Sequence, residues 1–203
     1  MFSVAYTILF LVMSQISFMF TPVVDLTPAS LAQQHRAAHH IQYDNPVEGD
    51  SCSATAVGPH TLLTAGHCLM ASSKIKIDGT NASVVNMIFD DADHMFVVTD
   101  ATFPVYLHIN QNALDSIGAA QVHMWGNPGR STDVYRIGSF LKWSTIGDAK
   151  LAIFVLPIFA GDSGSGLIDD TGDIIGVISV GNNDANAGIL PLQFTDAQLA
   201  QIK

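Results

Sequence analysis

The segment Gly161–Gly166 holds a serine in a setting that suits nucleophilic chemistry. Its sequence is Gly-Asp-Ser-Gly-Ser-Gly, and apolar residues stand on both sides of it. Glycine lets backbone N–H groups approach a ligand closely and lets the chain adopt positive φ values. A turn of this kind can aim two N–H groups at one oxygen atom, which is what the stabilisation of an oxyanion requires. Ser163 is therefore a candidate nucleophile.

A serine hydroxyl needs a nearby base, and the base needs a third group that orients it. His67 is the candidate base, because it follows the apolar run Leu62–Ala65 and directly precedes Cys68. A histidine beside an apolar run is more often a core residue with satisfied hydrogen bonds. The two segments together favour the catalytic interpretation, which also requires a carboxylate that can reach the imidazole.

Both segments resemble motifs of the trypsin-like serine peptidases, a family with the chymotrypsin fold. Thr64–Cys68 resembles the histidine motif of that family, and Gly161–Gly166 resembles its serine motif. Trp125–Gly129 is similar to a turn in the second barrel of bacterial and viral members, and Ile174–Ser179 is similar to the strand after the serine hairpin. The resemblance covers about residues 47–203 and implies an all-β fold of two six-stranded antiparallel β-barrels.

In this family the catalytic aspartate immediately precedes a strand, and Asp93 has that position. Asp90, Asp91 and Asp100 are the alternatives, of which the first two are expected to cap or solvate the turn. The resemblance therefore implies that Ser163 attacks a carbonyl group, that His67 takes the serine proton, and that Asp93 orients His67.

The resemblance implies three further features of the site. The backbone N–H groups of Gly161 and Ser163 would bind the oxyanion. Cys52 and Cys68 would form a disulfide, as a cysteine pair at a similar separation does in the family. The chemistry needs no metal and no organic cofactor.

The family pattern also suggests which residues bind the substrate side chain. Pro157 would lie near the base of the primary pocket, and Val180, Gly181 and Gly188 would line its walls. None of these residues is acidic, so an Arg or Lys preference is not supported. We expect an open pocket that accepts an apolar P1 residue, the residue before the scissile bond.

Activation by a new N terminus is not expected. In animal digestive members a new N terminus pairs with the aspartate before the serine, which here is Asp162. No Arg/Lys–Ile cleavage site stands ahead of the domain, so Asp162 would have another partner or lie near solvent.

Two other functions compete with an active peptidase. One is a non-catalytic binding module or a precursor inhibited by its N-terminal arm, against which the complete set of catalytic groups argues. The other is an esterase of the α/β-hydrolase type. Ser165 occupies the last glycine position of the Gly-x-Ser-x-Gly motif, and the order His, Asp, Ser is not the one that fold uses.

Composition limits the partners of the chain. The chain has 203 residues and a formal net charge of -10, which argues against nucleic-acid binding. We expect a protein or peptide substrate and a monomer. The first barrel would span about residues 47–112 and the second about 118–195.

The N-terminal 24 residues contain no charged side chain. They fit a signal peptide cleaved near Ser30–Ala32, a membrane anchor over residues 4–24, or a buried helix. The first two place the domain outside the cytoplasm, as secreted or anchored protein, where a disulfide persists. Residues 33–46 are expected to be a linker, and His35, His39 and His40 to be solvated there rather than to bind metal.

Short apolar runs between turn signals predict the strands. They are Ser53–Val57, Thr61–Ala65, Lys74–Ile77, Ser83–Phe89, Met95–Val98, Val122–Trp125, Ser139–Trp143, Leu151–Val155, Gly166–Ile168 and Ile174–Val180. Thr195 and Gln198 form a capping box, which predicts a C-terminal helix over Asp196–Lys203.

Overall fold

The computed structural model describes residues 28–43, 51–68, 74–118, 120–130, 134–182 and 186–202. The hydrophobic segment predicted to be a signal peptide or an anchor lies outside these ranges. Within them, no helix is both long and apolar enough to cross a membrane. The predicted cleavage site Ser30–Ala32 falls inside a helix, α1 (Pro28–Ala37).

The first half of the chain forms a closed barrel, so no strand of this barrel is left as an edge. The barrel order is β1-β2-β3-β6-β5-β4. The strands are β1 (Ala38–Tyr43), β2 (Ser51–Gly58), β3 (Thr61–Ala65), β4 (Lys74–Ile77), β5 (Thr80–Phe89) and β6 (His94–Thr99). Strand β1 closes the barrel, because Ile41 lies opposite Cys52 of β2 on one side and opposite Ile77 of β4 on the other.

The prediction of a linker over residues 33–46 is wrong for residues 33–43. These residues form the end of α1 and the whole of β1, and the barrel begins at Ala38 rather than near residue 47. The sequence hides this strand because Ile41 is its only large aliphatic residue. His40, which is buried in the strand, reads as a solvated residue in the sequence.

The second half forms a seven-stranded sheet in the order β11-β10-β7-β8-β9-β13-β12, where one six-stranded barrel was expected. Its strands are β7 (Gln121–Gly126), β8 (Val134–Ile146), β9 (Ala149–Val155), β10 (Gly166–Ile168), β11 (Ile174–Val177), β12 (Val180–Asn182) and β13 (Asn186–Ile189). The predicted strand Ile174–Val180 breaks at Ile178, whose backbone bonds the serine segment instead: its N–H donates to Ser165 and its carbonyl accepts from Gly164.

The structure has two hydrophobic cores, one inside the barrel and one in the second sheet, and Ile168, Ile174 and Val177 of β10 and β11 pack into the first of them. The C-terminal helix α2 (Asp196–Leu199) is shorter than predicted, but its capping box is present. The Gln198 side chain accepts a hydrogen bond from Thr195 N (2.8 Å) and donates one to the carbonyl of Phe89 in β5 (2.6 Å). Leu199 and Ile202 pack against the core of the barrel.

The role of β1 in the barrel predicts a large effect for a change at Ile41. The Ile41 side chain is fully buried, so Ile41→Ala should lower the free energy of unfolding by about 2–5 kcal/mol. Val85 is 68% exposed in the same barrel, and Val85→Ala should change it by less than about 0.5 kcal/mol. Urea unfolding followed by circular dichroism measures both, and equal effects would contradict the assignment of β1 to the core.

Candidate active site

His67 lies in a short 3-10 turn, Gly66–Cys68, that directly follows β3. The turn packs tightly against the start of β6, where a Cβ atom on Gly66 would come within 3.1 Å of Asp93 Oδ1. The backbone N–H of Gly66 donates to the carbonyl of Asp93 (2.9 Å). A disulfide joins Cys68 to Cys52 of β2, as the resemblance implied, and ties the turn to the barrel.

Asp93 reaches His67 because β3 and β6 are neighbours in the barrel. Ala65, at the end of β3, lies opposite His94, at the start of β6. The Asp93 carboxylate then accepts two hydrogen bonds from His67, one from the backbone N–H to Oδ1 (2.7 Å) and one from Nδ1 to Oδ2 (2.7 Å). The second bond leaves Nε2 as the ring nitrogen that faces away from the carboxylate, which is the atom a general base uses.

The alternative aspartates serve other parts of the fold. Asp90 is buried and accepts hydrogen bonds from His94 Nδ1 (2.6 Å) and from the backbone N–H of Gln193 (2.9 Å). Asp100 accepts from the backbone N–H of Ser83 (2.7 Å). Asp91 is exposed. Among the four candidates, the described contacts therefore link Asp93 alone to His67.

The contact between His67 and Asp93 changes the acidity of both groups. The hydrogen bond to Asp93 raises the pKa of His67 above 6.5, although partial burial of the ring opposes the change. Burial alone would raise the pKa of Asp93, but the hydrogen bonds and the attraction of His67 outweigh burial and lower it below 3.8. The pair therefore favours a charged carboxylate beside an imidazole that binds a proton readily.

Ser163 lies in a turn that is held against the first barrel. Its carbonyl accepts a hydrogen bond from the backbone N–H of Ser53 in β2 (2.8 Å), and Cys68 Sγ lies 3.9 Å from the same oxygen. Gly164 has φ +86° and packs so closely on the backbone of Ser53 that a Cβ atom would overlap it. These contacts bring Ser163 and the His67 turn to the same junction between the two halves.

The hydroxyl of Ser163 and the backbone N–H groups of Gly161 and Ser163 form no hydrogen bond in the described part of the chain. The Ser163 hydroxyl forms no hydrogen bond with His67 or with another described residue. In enzymes, the hydrogen bond between nucleophile and base often tightens only when the substrate binds. The backbone N–H groups of Gly161 and Ser163 donate to no described acceptor either. Both remain available to an incoming carbonyl oxygen.

Ser53, which was not predicted as a functional residue, forms hydrogen bonds with several segments at this junction. Its buried hydroxyl donates to the carbonyl of Gly161 (2.8 Å) and accepts from the backbone and side-chain nitrogens of Asn127 (both 3.0 Å). Its own carbonyl accepts from the Thr64 hydroxyl (2.8 Å). A small polar residue between a cysteine and an alanine gives no signal in the sequence that would distinguish it from an ordinary strand residue.

Asp162 is fully buried and pairs with Arg136 of β8, which was also missed. The guanidinium donates to both carboxylate oxygens and also to the carbonyl of Pro157 (2.8 Å). The backbone N–H of Phe159 donates to the same carboxylate (2.7 Å). Of the two possibilities predicted for Asp162, another partner or a place near solvent, the structure shows the first, and Arg136 fixes the chain that leads into Ser163.

A cavity of about 180 Å³ opens beside Ser163. Two of the predicted pocket residues, Val180 and Gly181, line it. The other lining residues are Ile158, Phe159, Ala160, Ile178 and Ser179.

Two of the predicted pocket residues lie elsewhere. Pro157 is not among the residues that line this cavity; its carbonyl accepts a hydrogen bond from Arg136, and the residue is exposed. Gly188 lines a separate cavity of about 370 Å³ that shares Val180 and Gly181 as a wall.

Metal binding finds no support in the described ranges. No group of three His, Cys, Asp or Glu side chains converges there as metal ligands. Of the N-terminal histidines, His35 stacks on Trp125 with ring centroids 4.4 Å apart, and His39 Nδ1 pairs with Asp78 (2.7 Å).

Comparison with solved structures shows that serine proteases share the fold. The active form of the Rv3671c protease from M. tuberculosis is 18% identical, with a TM-score of 0.69 over 90% of this chain and 91% of that one. The serine endoprotease from Yersinia pestis is 17% identical, with a TM-score of 0.64 over 83% of this chain and 63% of that one. A Glu endopeptidase is 21% identical, with a TM-score of 0.62 over 86% of this chain and 92% of that one.

Neither a protein-family model nor a curated protein sequence matches the chain. At the identities found among solved structures, the likeness establishes the fold alone. The predicted fold class, all-β and chymotrypsin-like with a short C-terminal helix, is confirmed.

The buried ion pair predicts that Arg136 is needed for stability. Arg136→Met leaves the Asp162 carboxylate buried without its charged partner, so the free energy of unfolding should fall by about 3–5 kcal/mol. The exposed pair Lys150–Asp115 is the control, and Lys150→Met should cost less than about 1 kcal/mol. Urea unfolding of both variants is the measurement. A cost at Arg136 no larger than at Lys150 would show that the pair does not hold the segment.

Proposed function

We propose that the chain is a serine endopeptidase that cleaves polypeptides outside the cytoplasm. The observation that carries the proposal is the double hydrogen bond between His67 and Asp93 beside the clamped turn of Ser163. The shared fold with serine proteases supports the class of reaction. The disulfide between Cys52 and Cys68 is consistent with an extracytoplasmic location.

Acylation in this proposal follows from the roles of the three side chains. His67 Nε2 takes the hydroxyl proton as Ser163 Oγ attacks the scissile carbonyl carbon. Asp93 holds Nδ1–H and stabilises the imidazolium that results. The carbonyl oxygen becomes an oxyanion and accepts hydrogen bonds from the N–H groups of Gly161 and Ser163. His67 then gives its proton to the leaving amine, and an acyl-enzyme remains.

Deacylation repeats these steps with water. His67 takes a proton from a water molecule, whose oxygen attacks the acyl carbon. The tetrahedral intermediate collapses, Ser163 Oγ recovers the proton from His67, and the carboxylic acid product leaves. No step requires a group from outside the chain other than water.

The pocket beside Ser163 supports an uncharged P1 residue. Its lining is made of aliphatic, aromatic and hydroxyl side chains, without a lysine, arginine, aspartate or glutamate among them. A charged P1 side chain would lose its hydration there without gaining a counter-charge, which is costly. An apolar P1 residue gains the contacts without that cost.

In the alternative of a self-inhibited precursor, residues 38–43 are not part of the inhibiting arm. Residues 38–43 form β1 of the closed barrel, so they are part of the fold and do not form a detachable arm. Removing the chain before Asp44 would therefore destroy the barrel rather than release an inhibitor. Covalent labelling of Ser163 distinguishes an active peptidase from a non-catalytic module.

A fluorophosphonate probe, which phosphonylates activated serines, tests the proposed function. We expect covalent labelling of the wild-type chain and its loss in both Ser163→Ala and His67→Ala. Ser165 is the matched control in the same segment, because its hydroxyl is buried and finds no partner among the described residues. Ser165→Ala should label like the wild type. Folded wild-type protein that stays unlabelled would contradict the proposal.

The raised pKa of His67 predicts the acid limb of the pH–rate profile. Only neutral imidazole acts as a base, so kcat/KM should fall as the pH drops through the His67 pKa, at a midpoint above 6.5. In Asp93→Asn the hydrogen bond and the charge that raise this pKa are lost. The midpoint should move to lower pH, and the plateau should fall by about 10⁴-fold.

Asp91→Asn, an exposed change in the same turn, is the control for this profile. It should leave both the midpoint and the plateau of kcat/KM as in the wild type. An unchanged midpoint in Asp93→Asn would show that Asp93 does not act on the base.

A further inference from the structure

The side chain of Ile158 lies directly against Gly181 in the pocket beside Ser163. A Cβ atom placed on Gly181 would lie 2.6 Å from Ile158 Cγ1 and would overlap Cδ1. Glycine at this position therefore does not widen the pocket, because Ile158 fills the space that the missing side chain leaves. This differs from the open pocket expected from Gly181 and Gly188.

The position of Ile158 is fixed by the segments on both sides of it. Pro157 before it is bonded through its carbonyl to Arg136, and Phe159 after it donates its backbone N–H to Asp162. The Ile158 side chain is partly buried and packs against the core of the second sheet. The backbone of Ile158 therefore cannot move away from the pocket without breaking contacts of the buried ion pair.

The remaining space is small and uncharged. The cavity beside Ser163 measures about 180 Å³, which also includes its mouth around the serine. Ile158 occupies the side of this cavity that Gly181 would otherwise leave open to a long or aromatic side chain.

We propose that Ile158 is the specificity-determining residue of this site and restricts P1 to small uncharged side chains, with alanine as the best fit. The inference rests on the proposed peptidase function and names the substrate class of the same site. A methyl side chain fits above Ile158 without moving it. Leucine and phenylalanine at P1 would overlap its Cδ1 atom, and lysine and glutamate would in addition lack a counter-charge.

The test uses internally quenched peptides of one sequence with Ala, Val, Leu, Phe, Lys or Glu at P1. For the wild type we expect kcat/KM to be highest for Ala and lower by at least about tenfold for Leu and Phe, since each extra methylene in a fitted pocket changes discrimination by about 10–200-fold. In Ile158→Ala the ratio of kcat/KM for Phe to that for Ala should rise by at least about tenfold.

Two further variants keep the result interpretable. Ile158→Val removes one carbon and should shift the ratio in the same direction by a smaller factor, which covers the case in which Ile158→Ala folds poorly. Val155→Ala is the control, because Val155 is 49% exposed on the neighbouring strand and lines neither cavity. Its ratio should equal that of the wild type.

Titration with a small alkyl fluorophosphonate distinguishes failure of the inference about Ile158 from failure of the proposed peptidase function. A wild-type chain that is titrated and prefers Phe, Lys or Glu at P1 would overturn the role of Ile158 and leave the peptidase function standing. Unchanged ratios in both Ile158 variants would do the same. A folded chain that is neither labelled nor able to cleave any peptide would overturn the proposed function and this inference together.

Discussion

The hydrogen bond from Ser53 N to the carbonyl of Ser163 ties the serine segment of the second sheet to the closed barrel. The candidate base and its carboxylate belong to the closed barrel, and the candidate nucleophile belongs to the seven-stranded sheet. Chemistry between them tolerates little displacement, since an error of about 1 Å can cost about 100-fold in rate. The Ser53 hydroxyl reinforces the joint by bonding Gly161 and Asn127, so one buried residue holds three segments at the junction.

The ion pair between Asp162 and Arg136 fixes the segment that carries Ser163, and both partners belong to the same domain. Because Arg136 comes from β8, the partner of Asp162 is present as soon as the sheet has folded. The charge of Asp162, which is buried next to Ser163, is thereby neutralised by a residue of the sheet itself. The same guanidinium bonds the carbonyl of Pro157, so the pocket residue that follows is fixed by the same ion pair.

The parts that could be predicted from the sequence are those whose signal is local. Thr61–Ala65, Lys74–Ile77 and Gly166–Ile168 were predicted with the observed bounds, because short apolar runs between turn residues mark buried strands. The resemblance indicated His67, Asp93 and Ser163, and the pairing of β3 with β6 explains why the first two meet. Their catalytic roles stay a prediction.

The parts that could not be predicted depend on contacts that are distant in the sequence. Strand β1 is recognised only by its pairing with β2 and β4, and Arg136 only by the register that carries it to Asp162. Ile158 looked like one more apolar residue before the serine segment, and its effect on the pocket depends on the side chain meeting Gly181. Position in three dimensions, rather than residue type, gives each of these residues its role.

The two edges of the seven-stranded sheet differ in whether another segment of the chain covers them. At β11 an isolated bridge from Ile109 covers the edge, and the backbone of Ile174 bonds His108 and Asn110. At β12, within the described ranges, the strand pairs only with β13 and leaves its outer side free beside the Ser163 cavity. The unpaired backbone groups of an edge strand can bind a strand of another chain and so cause aggregation. A short edge strand reduces this risk. With three residues, β12 offers too few backbone bonds to hold another copy of the chain by itself. In the proposed function, an extended substrate that also places a side chain in the cavity would gain both sets of contacts, which a second copy pairing with β12 alone would not.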